Sequence, residues 1–164
     1  MIRQLCDRLH AILRPASAKN GKDKLRRPAD ALTSGYRDLR RLTEQIKAHA
    51  ERAPYPHVAE RLRRIASEKQ RAVGVLKERI LAMGYDFEEP HTAPKSGKNH
   101  WERMVQDLKD QKSLEAFLLE RATLLADDAP EIGDLLSRIA ADQGAHRDIL
   151  LDLVARADPQ AEQT

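Results

Sequence analysis

Hydrophobic residues recur at helical spacing along most of the chain, and polar residues fill the positions between them. Between residues 29 and 52, small and apolar side chains follow one another at alternating steps of four and three, which is typical of a helix in a bundle. This stripe consists of Leu32, Tyr36, Leu39, Thr43, Ile46, Ala50 and Ala53. A second stripe consists of Val58, Leu62, Ile65, Ala72, Leu76, Ile80 and Met83. The pattern predicts two long helices joined by a short turn, with Pro56 at the first position of the second helix.

A second pair of helices is predicted after a linker. Gly84 is a suitable C-terminal cap for the second helix, and residues 84–98 contain two prolines and two glycines. Asn99, followed three residues later by a glutamate, is typical of a helix N-terminus. This third helix is expected to run to about residue 127, and Pro130 can open a fourth that ends near residue 156. The 15-residue linker is long enough to cross the whole length of a bundle.

The N-terminal region differs from the four long segments. Apolar residues at helical spacing predict a short amphipathic helix over residues 2–13, which contains Cys6. Residues 14–28 are expected to form a basic linker, and residues 157–164 a flexible tail, so that the bundle itself spans 29–156. The basic side chains that this linker offers to an anionic partner are Arg14, Lys19, Lys22, Lys24, Arg26 and Arg27.

Composition agrees with an all-α domain and narrows the class of protein. Hydrophobic residues make up 41% of the 164 positions, charged residues 34% and aromatic residues only 4%. A single cysteine excludes an internal disulfide framework and a cysteine-rich zinc module. No apolar stretch approaches the length of a membrane span, and no secretory signal is evident at the N-terminus. We therefore expect a cytoplasmic protein with no transmembrane segment.

The net charge of +3 conceals an uneven distribution. Residues 1–28 hold eight Lys and Arg against two Asp and Glu, and residues 29–101 hold fourteen against ten. Residues 102–164 hold seven against fourteen. A basic head and an acidic second half favour self-association or an anionic partner, although solvated faces that simply differ in sign would give the same pattern.

The two predicted hairpins resemble each other, which indicates an internal repeat. The segment from Arg64 to Leu76 aligns with the segment from Arg138 to Leu150 at an offset of 74 residues. The second of these resembles the fourth helix of the ferritin-like superfamily, whose pattern is approximately I-A-x-x-E-x-x-H-x-x-x-L. The resemblance covers about residues 29–156. It implies a four-helix bundle of two αα-hairpins joined by a long crossover.

The resemblance also implies a two-iron site, from which this sequence departs. In that family each hairpin supplies a Glu-x-x-His pair, and each of the two remaining helices supplies one Glu. In this chain the two Glu-x-x-His pairs correspond to Lys69 with Ala72 and to Gln143 with His146. The two single Glu positions correspond to Glu115 and Leu39. Only Glu115 and His146 keep the ligand type, and a lysine ammonium group cannot bind a metal. We therefore expect no cofactor and no iron-dependent chemistry.

Helical projection places four polar residues on faces that point into the bundle: Lys69, Glu115, Gln143 and His146. Our first hypothesis is a buried polar network in which Lys69 pairs with Glu115 and the other two complete the hydrogen bonds. Two alternatives remain open. The side chains reach the edge of the bundle, or Glu115 and His146 hold a single metal ion.

Four functions are compatible with this sequence. The first is a non-catalytic, dimeric scaffold of the ferritin-like type. It would act through its surface in stress or housekeeping association, and residues 2–13 would dock on a partner. The second is association with nucleic acid through the basic segment 14–28. The third is a residual metal protein that uses Glu115 and His146. The fourth is weak binding of residues 2–13 to an anionic membrane surface.

Overall fold

The computed structural model describes residues 17–86, 89 and 93–157, with side chains described from residue 26 onwards. Four α-helices occupy these residues, and no strand occurs among them. They are α1 (Ser17–Glu51), α2 (Pro56–Ala82), α3 (His100–Leu125) and α4 (Pro130–Arg156). The predicted all-α bundle of four helices is confirmed. Within the described ranges, no helix combines the length and apolarity needed to cross a membrane.

The helices pack as two antiparallel hairpins, α1–α2 and α3–α4. The facing helices of the two hairpins also run antiparallel. Gln45 of α1 bonds to Asp107 of α3, while Arg61 and Arg79 of α2 form ion pairs with Asp152 and Glu131 of α4. Because α1 runs antiparallel to both α2 and α3, the helices α2 and α3 run in the same direction. The connection between them must therefore return along the length of the bundle.

That connection lies against α1. Lys77 donates a hydrogen bond to Glu89 at 2.7 Å, and Arg40 forms an ion pair with the same carboxylate. Further along, the backbone N–H of Lys95 donates to Gln45 at 3.2 Å. Glu89 thus lies at the level of Arg40, and Lys95 lies at the level of Gln45 shortly before α3 begins.

The predicted helix ends agree with the structure at two sites. Gly84 has a positive φ of 78°, which a glycine adopts without strain, and it follows the last residues of α2. The side chain of Asn99 accepts a hydrogen bond from the backbone N–H of Glu102 at 2.8 Å. The carboxylate of Glu102 in turn accepts from the N–H of Lys98 at 2.8 Å. These contacts satisfy N–H groups that the first turn of a helix leaves without partners.

The first helix begins earlier than the sequence predicts. We expected a linker over 14–28, but α1 starts at Ser17 and continues through Pro28. The prediction of a linker is therefore wrong from Ser17 onward. A proline inside a helix removes one hydrogen bond, but Pro28 is buried and Ala29 and Ala31 after it pack in the core. The helix predicted at 2–13 and the tail beyond Ala157 lie outside the described residues.

The core runs the length of the bundle and is mainly aliphatic. Its largest fully buried apolar side chains are Tyr36, Leu32, Leu39, Leu42, Ile46, Leu62, Ile65, Leu76, Ile80 and Met104. The core also holds polar side chains, and most of these form two clusters at different heights. Buried polar groups are costly unless they are hydrogen-bonded, so these clusters are the first candidates for a functional site.

Candidate functional site

The first cluster lies at the centre of the bundle and consists of Lys69, Gln111 and Gln143, which we call the central cluster. All three side chains are fully buried. Lys69 Nζ donates to Gln111 Oε1 at 2.5 Å and also to Gln143 Oε1. Gln111 Nε2 donates to the backbone oxygen of Gln143 at 2.8 Å. The cluster links α2, α3 and α4 through one amine and two amide groups.

The electrostatics of Lys69 follow from this burial. Burial lowers the pKa of Lys69 from 10.5 to about 7, and the charge of Asp107 opposes that shift. A neutral amine still carries two N–H groups, and the two glutamine oxygens are two acceptors. Both hydrogen bonds therefore survive when the ammonium group loses its proton.

The structure separates the other two predicted members of the network from this cluster. Glu115 accepts two hydrogen bonds from Arg147 Nη1, at 2.8 and 3.0 Å, and does not contact Lys69. His146 Nε2 lies 2.8 Å from Glu68 Oε2. The predicted pair between Lys69 and Glu115 is therefore wrong. Arg147 and Glu115 line one groove between α3 and α4, so the carboxylate is satisfied near the edge of the bundle.

These positions do not fit the two-iron site that the ferritin-like resemblance implies. At the centre, the oxygens of Gln111 and Gln143 are occupied by hydrogen bonds from Lys69, and the cluster contains no carboxylate and no imidazole. The carboxylate of Glu115 is held by Arg147, and one nitrogen of His146 is held by Glu68. Within the described part of the chain, no three His, Cys, Asp or Glu side chains are grouped as a metal ion requires.

The second cluster joins α1, α3 and the crossover connection, and we call it the crossover cluster. It consists of Gln45, His49, Lys95, Asp107 and Asp110. His49 Nδ1 lies 2.9 Å from Asp107 Oδ2, and Gln45 Nε2 donates to Asp107 Oδ1 at 2.8 Å. Lys95 Nζ donates to Asp110 Oδ1 at 2.7 Å, and His49 Nε2 lies 2.9 Å from the Lys95 carbonyl oxygen. Because that oxygen can only accept, Nε2 of His49 carries a proton.

Hydrogen bonds and ion pairs determine the direction of the pKa shift of Asp110. Burial alone would raise its pKa, but hydrogen bonds, first that from Lys95, hold the pKa of Asp110 below its ordinary value. Arg41 Nη1 adds an ion pair at 3.2 Å. Each member of the crossover cluster thus has a hydrogen-bond or ion-pair partner within it. The cluster holds Lys95 of the connection against the bundle, which is a structural role.

Sequence reasoning missed the crossover cluster. His49 lies off the predicted stripe of α1, yet it is 2% exposed, and His100, the first residue of α3, is 1% exposed. A signal was present in α1, because Leu42, Gln45 and His49 follow one another at helical spacing on a face beside the predicted stripe. That face packs on α3, so α1 buries a wider arc than a single stripe.

A groove of about 460 Å³ lies between α2 and α4, and we call it the α2–α4 groove. Its polar lining is Glu68, Arg71, Asp142, Gln143 and His146. Gln143 belongs to the central cluster, so the groove opens above the centre of the bundle. Burial lowers the pKa of His146, the charge of Lys69 adds to this, and the hydrogen bond with Glu68 opposes it.

The predicted basic segment lies only partly within the described residues. Arg14 lies outside them, whereas Lys19, Lys22 and Lys24 fall on the backbone of α1. Arg26 and Arg27 are exposed on the same helix. Arg27 also lines a groove with Leu125, the last residue of α3, so the residues of α1 before Arg27 extend past that end of α3.

Comparisons with protein-family models and with curated proteins gave no match to this chain.

Proposed function

We propose that this chain is a non-catalytic scaffold of the ferritin-like type, in which a lysine–glutamine cluster stands where that family holds metal. It acts by association through its surface, and it forms a dimer. The observation that carries the proposal is the burial of Lys69 between Gln111 and Gln143, because an amine bonded to two amide oxygens stabilises the bundle and supplies none of the carboxylate and imidazole ligands of that family's metal site.

Metal binding tests this proposal directly. Protein purified without chelator is offered Fe²⁺, and bound metal is measured by elemental analysis after desalting. We expect no stoichiometric iron in the wild type. One equivalent of iron that is lost in His146→Ala, but retained in His57→Ala, would overturn the proposal in favour of a single-metal site, since His57 is an exposed histidine outside the cluster.

Surface association rests on the uneven charge of the two hairpins. The segment 29–101, with α2 and most of α1, carries an excess of cations, and the segment 102–164, with most of α3 and α4, carries twice as many acidic as basic residues. Opposite charges on two parts of one surface favour pairing between copies. Light scattering over a concentration series is expected to show a dimer that dissociates as salt is raised. A monomer at every concentration and low salt would contradict this part of the proposal.

A second candidate is association with nucleic acid, which the extension of α1 supports. The helix α1 begins at Ser17, and in the sequence Lys19, Lys22 and Arg26 follow one another at steps of three and four, the spacing of a single helix face. A cationic helix attracts phosphate without sequence preference and with strong salt dependence. A gel shift at low salt tests this candidate, and the absence of retardation would exclude it.

A further inference from the structure

One exposed side of the α3–α4 hairpin carries small and apolar side chains at helical spacing, and we call it the α3–α4 face. Its row on α4 consists of Ala141, Gly144, Asp148, Leu151 and Ala155. Its row on α3 consists of Trp101, Val105, Lys112, Ala116 and Leu119. Leu119 is 47% exposed and Leu151 is 50% exposed. A single exposed leucine is ordinary on a protein surface, but two adjacent apolar rows indicate a surface that another molecule covers.

The contacts between the two helices place both rows on the same side of the hairpin. Ala116 and Leu119 of α3 line a groove together with Arg147 of α4. A Cβ atom at Gly144 would lie 3.3 Å from Glu115 Oε1, which belongs to the same groove. The other members of the α4 row follow Gly144 or precede it at steps of three and four, so they share its side of the helix.

Each row contains one charged residue, and the two charges are opposite. Lys112 is exposed and forms no hydrogen bond or ion pair with another residue in the described part of the chain. Asp148 is exposed and accepts from Arg147 through Oδ1, which leaves Oδ2 open to a second cation. The pair between Glu115 and Arg147 adds one charge of each sign. The α3–α4 face is therefore neutral, and the acidic excess of residues 102–164 lies outside it.

The heights of these residues along the hairpin follow from one contact. Glu115 of α3 bonds to Arg147 of α4, and the two helices run antiparallel. Lys112 precedes Glu115 by three residues and therefore lies at about the height of Asp148. Leu119 follows Glu115 by one turn, and it lies at about the height of the two small residues that begin the α4 row.

We propose that a second copy of this chain packs on the α3–α4 face, about a twofold axis that runs along the bundle. Such an axis brings α3 of each copy against α4 of the other and leaves every height unchanged. Lys112 of one copy then meets Asp148 of the other, twice in the dimer, and Leu119 packs on the small residues that begin the opposite α4 row. The face is thus complementary to itself in charge and in shape. This inference rests on the dimer of the proposed function and names the surface that forms it.

Analytical ultracentrifugation of the full chain over a concentration series measures the dissociation constant of the dimer. Leu119→Glu and Leu151→Glu each introduce one carboxylate per copy into the apolar contact, and each should weaken the dimer at least about tenfold. The matched controls are Leu81→Glu on α2 and Leu124→Glu in the groove between α1 and α3, at leucines that are 50% and 60% exposed. The controls should leave the dissociation constant unchanged. Circular dichroism checks that all four variants fold.

Charge reversal tests the contact between Lys112 and Asp148. Lys112→Glu alone and Asp148→Lys alone each place like charges opposite one another at both contacts of the dimer, and each should weaken it about tenfold. An equimolar mixture of the two variants should restore the dimer, because a dimer with one copy of each has opposite charges at both contacts. A pair within a single copy would gain nothing from mixing, so restoration assigns the contact to two copies.

The outcomes separate this inference from the proposed function. A wild-type dimer that neither Leu119→Glu nor Leu151→Glu weakens would overturn the inference and leave the proposed dimer to form through another surface. Equal weakening by Leu81→Glu would overturn it in the same way, and so would a mixture of the charge variants that stays as dissociated as either alone. A wild type that is monomeric at every concentration would refute the proposed dimer and this inference together.

Discussion

Replacing Lys69 by methionine is expected to remove a pH dependence of stability that the buried amine imposes. The pKa of Lys69 is about 7 in the folded chain, against 10.5 for an ordinary lysine. Between these two values the unfolded chain binds more protons than the folded one, so the free energy of unfolding rises with pH. The rise is about 1.4 kcal/mol per pH unit and about 5 kcal/mol across the whole interval.

The direction of this pH dependence follows from the burial of the Lys69 amine. Below pH 7 the amine is charged in both states, and the folded protein bears the full cost of a buried cation. Above that pH the folded amine is neutral and keeps its bonds to Gln111 and Gln143, so this cost decreases until the unfolded lysine also loses its proton. Lys69→Met has no such group and instead leaves Gln111 Oε1 without its donor, at a cost of about 1–3 kcal/mol.

Urea unfolding of wild type and Lys69→Met from pH 6 to pH 10 measures the effect. The stability of the variant relative to wild type should be highest at pH 6 and should fall by about 1.4 kcal/mol per unit above pH 7. Lys109→Met changes an exposed lysine and provides the control, whose difference from wild type should be flat over pH 6 to pH 9. A pH-independent difference for Lys69→Met would refute the buried neutral amine.

Three further predictions follow from the other polar contacts. Asp107→Asn removes a buried carboxylate from the crossover cluster and should lower the free energy of unfolding by about 3 kcal/mol in urea titrations, because its former partners stay buried. Glu68→Gln should lower the pKa of His146 in an NMR titration, since the hydrogen bond and charge of Glu68 both raise it, and an upward shift would contradict the contact. Glu115→Ala should change the unfolding midpoint little, because Arg147 stays solvated when its partner is lost, and a large loss would indicate a buried role for this carboxylate.

The fold was predictable from sequence where apolar spacing and turn residues agreed. Pro56, Gly84, Asn99 and Pro130 each lie at or beside the end of a helix, because their backbone preferences act locally. Pro28 is the exception. Tertiary burial of the residues around it outweighs the loss of one backbone hydrogen bond, and a local rule contains no information about that burial.

The site was predictable only in part, because burial of a polar residue does not identify its partner. The burial of Lys69 and Gln143 followed from helical projection, and both lie in the central cluster. The partner of Glu115 was not predictable, because the choice between Lys69 and Arg147 depends on the height and rotation of neighbouring helices. Single-sequence periodicity fixes neither quantity.

The buried polar clusters also limit how the two hairpins can align. Rows of leucine and isoleucine repeat with every turn, so hydrophobic contact alone would tolerate a slide of one turn, about 5.4 Å, between the hairpins. Such a slide would move Asp107 away from His49 and Lys69 away from Gln143, and it would leave charges in an apolar interior. The two clusters lie at different heights, so a single alignment satisfies both. Their contribution is to exclude competing packings, and this holds even where a fully apolar core would be more stable.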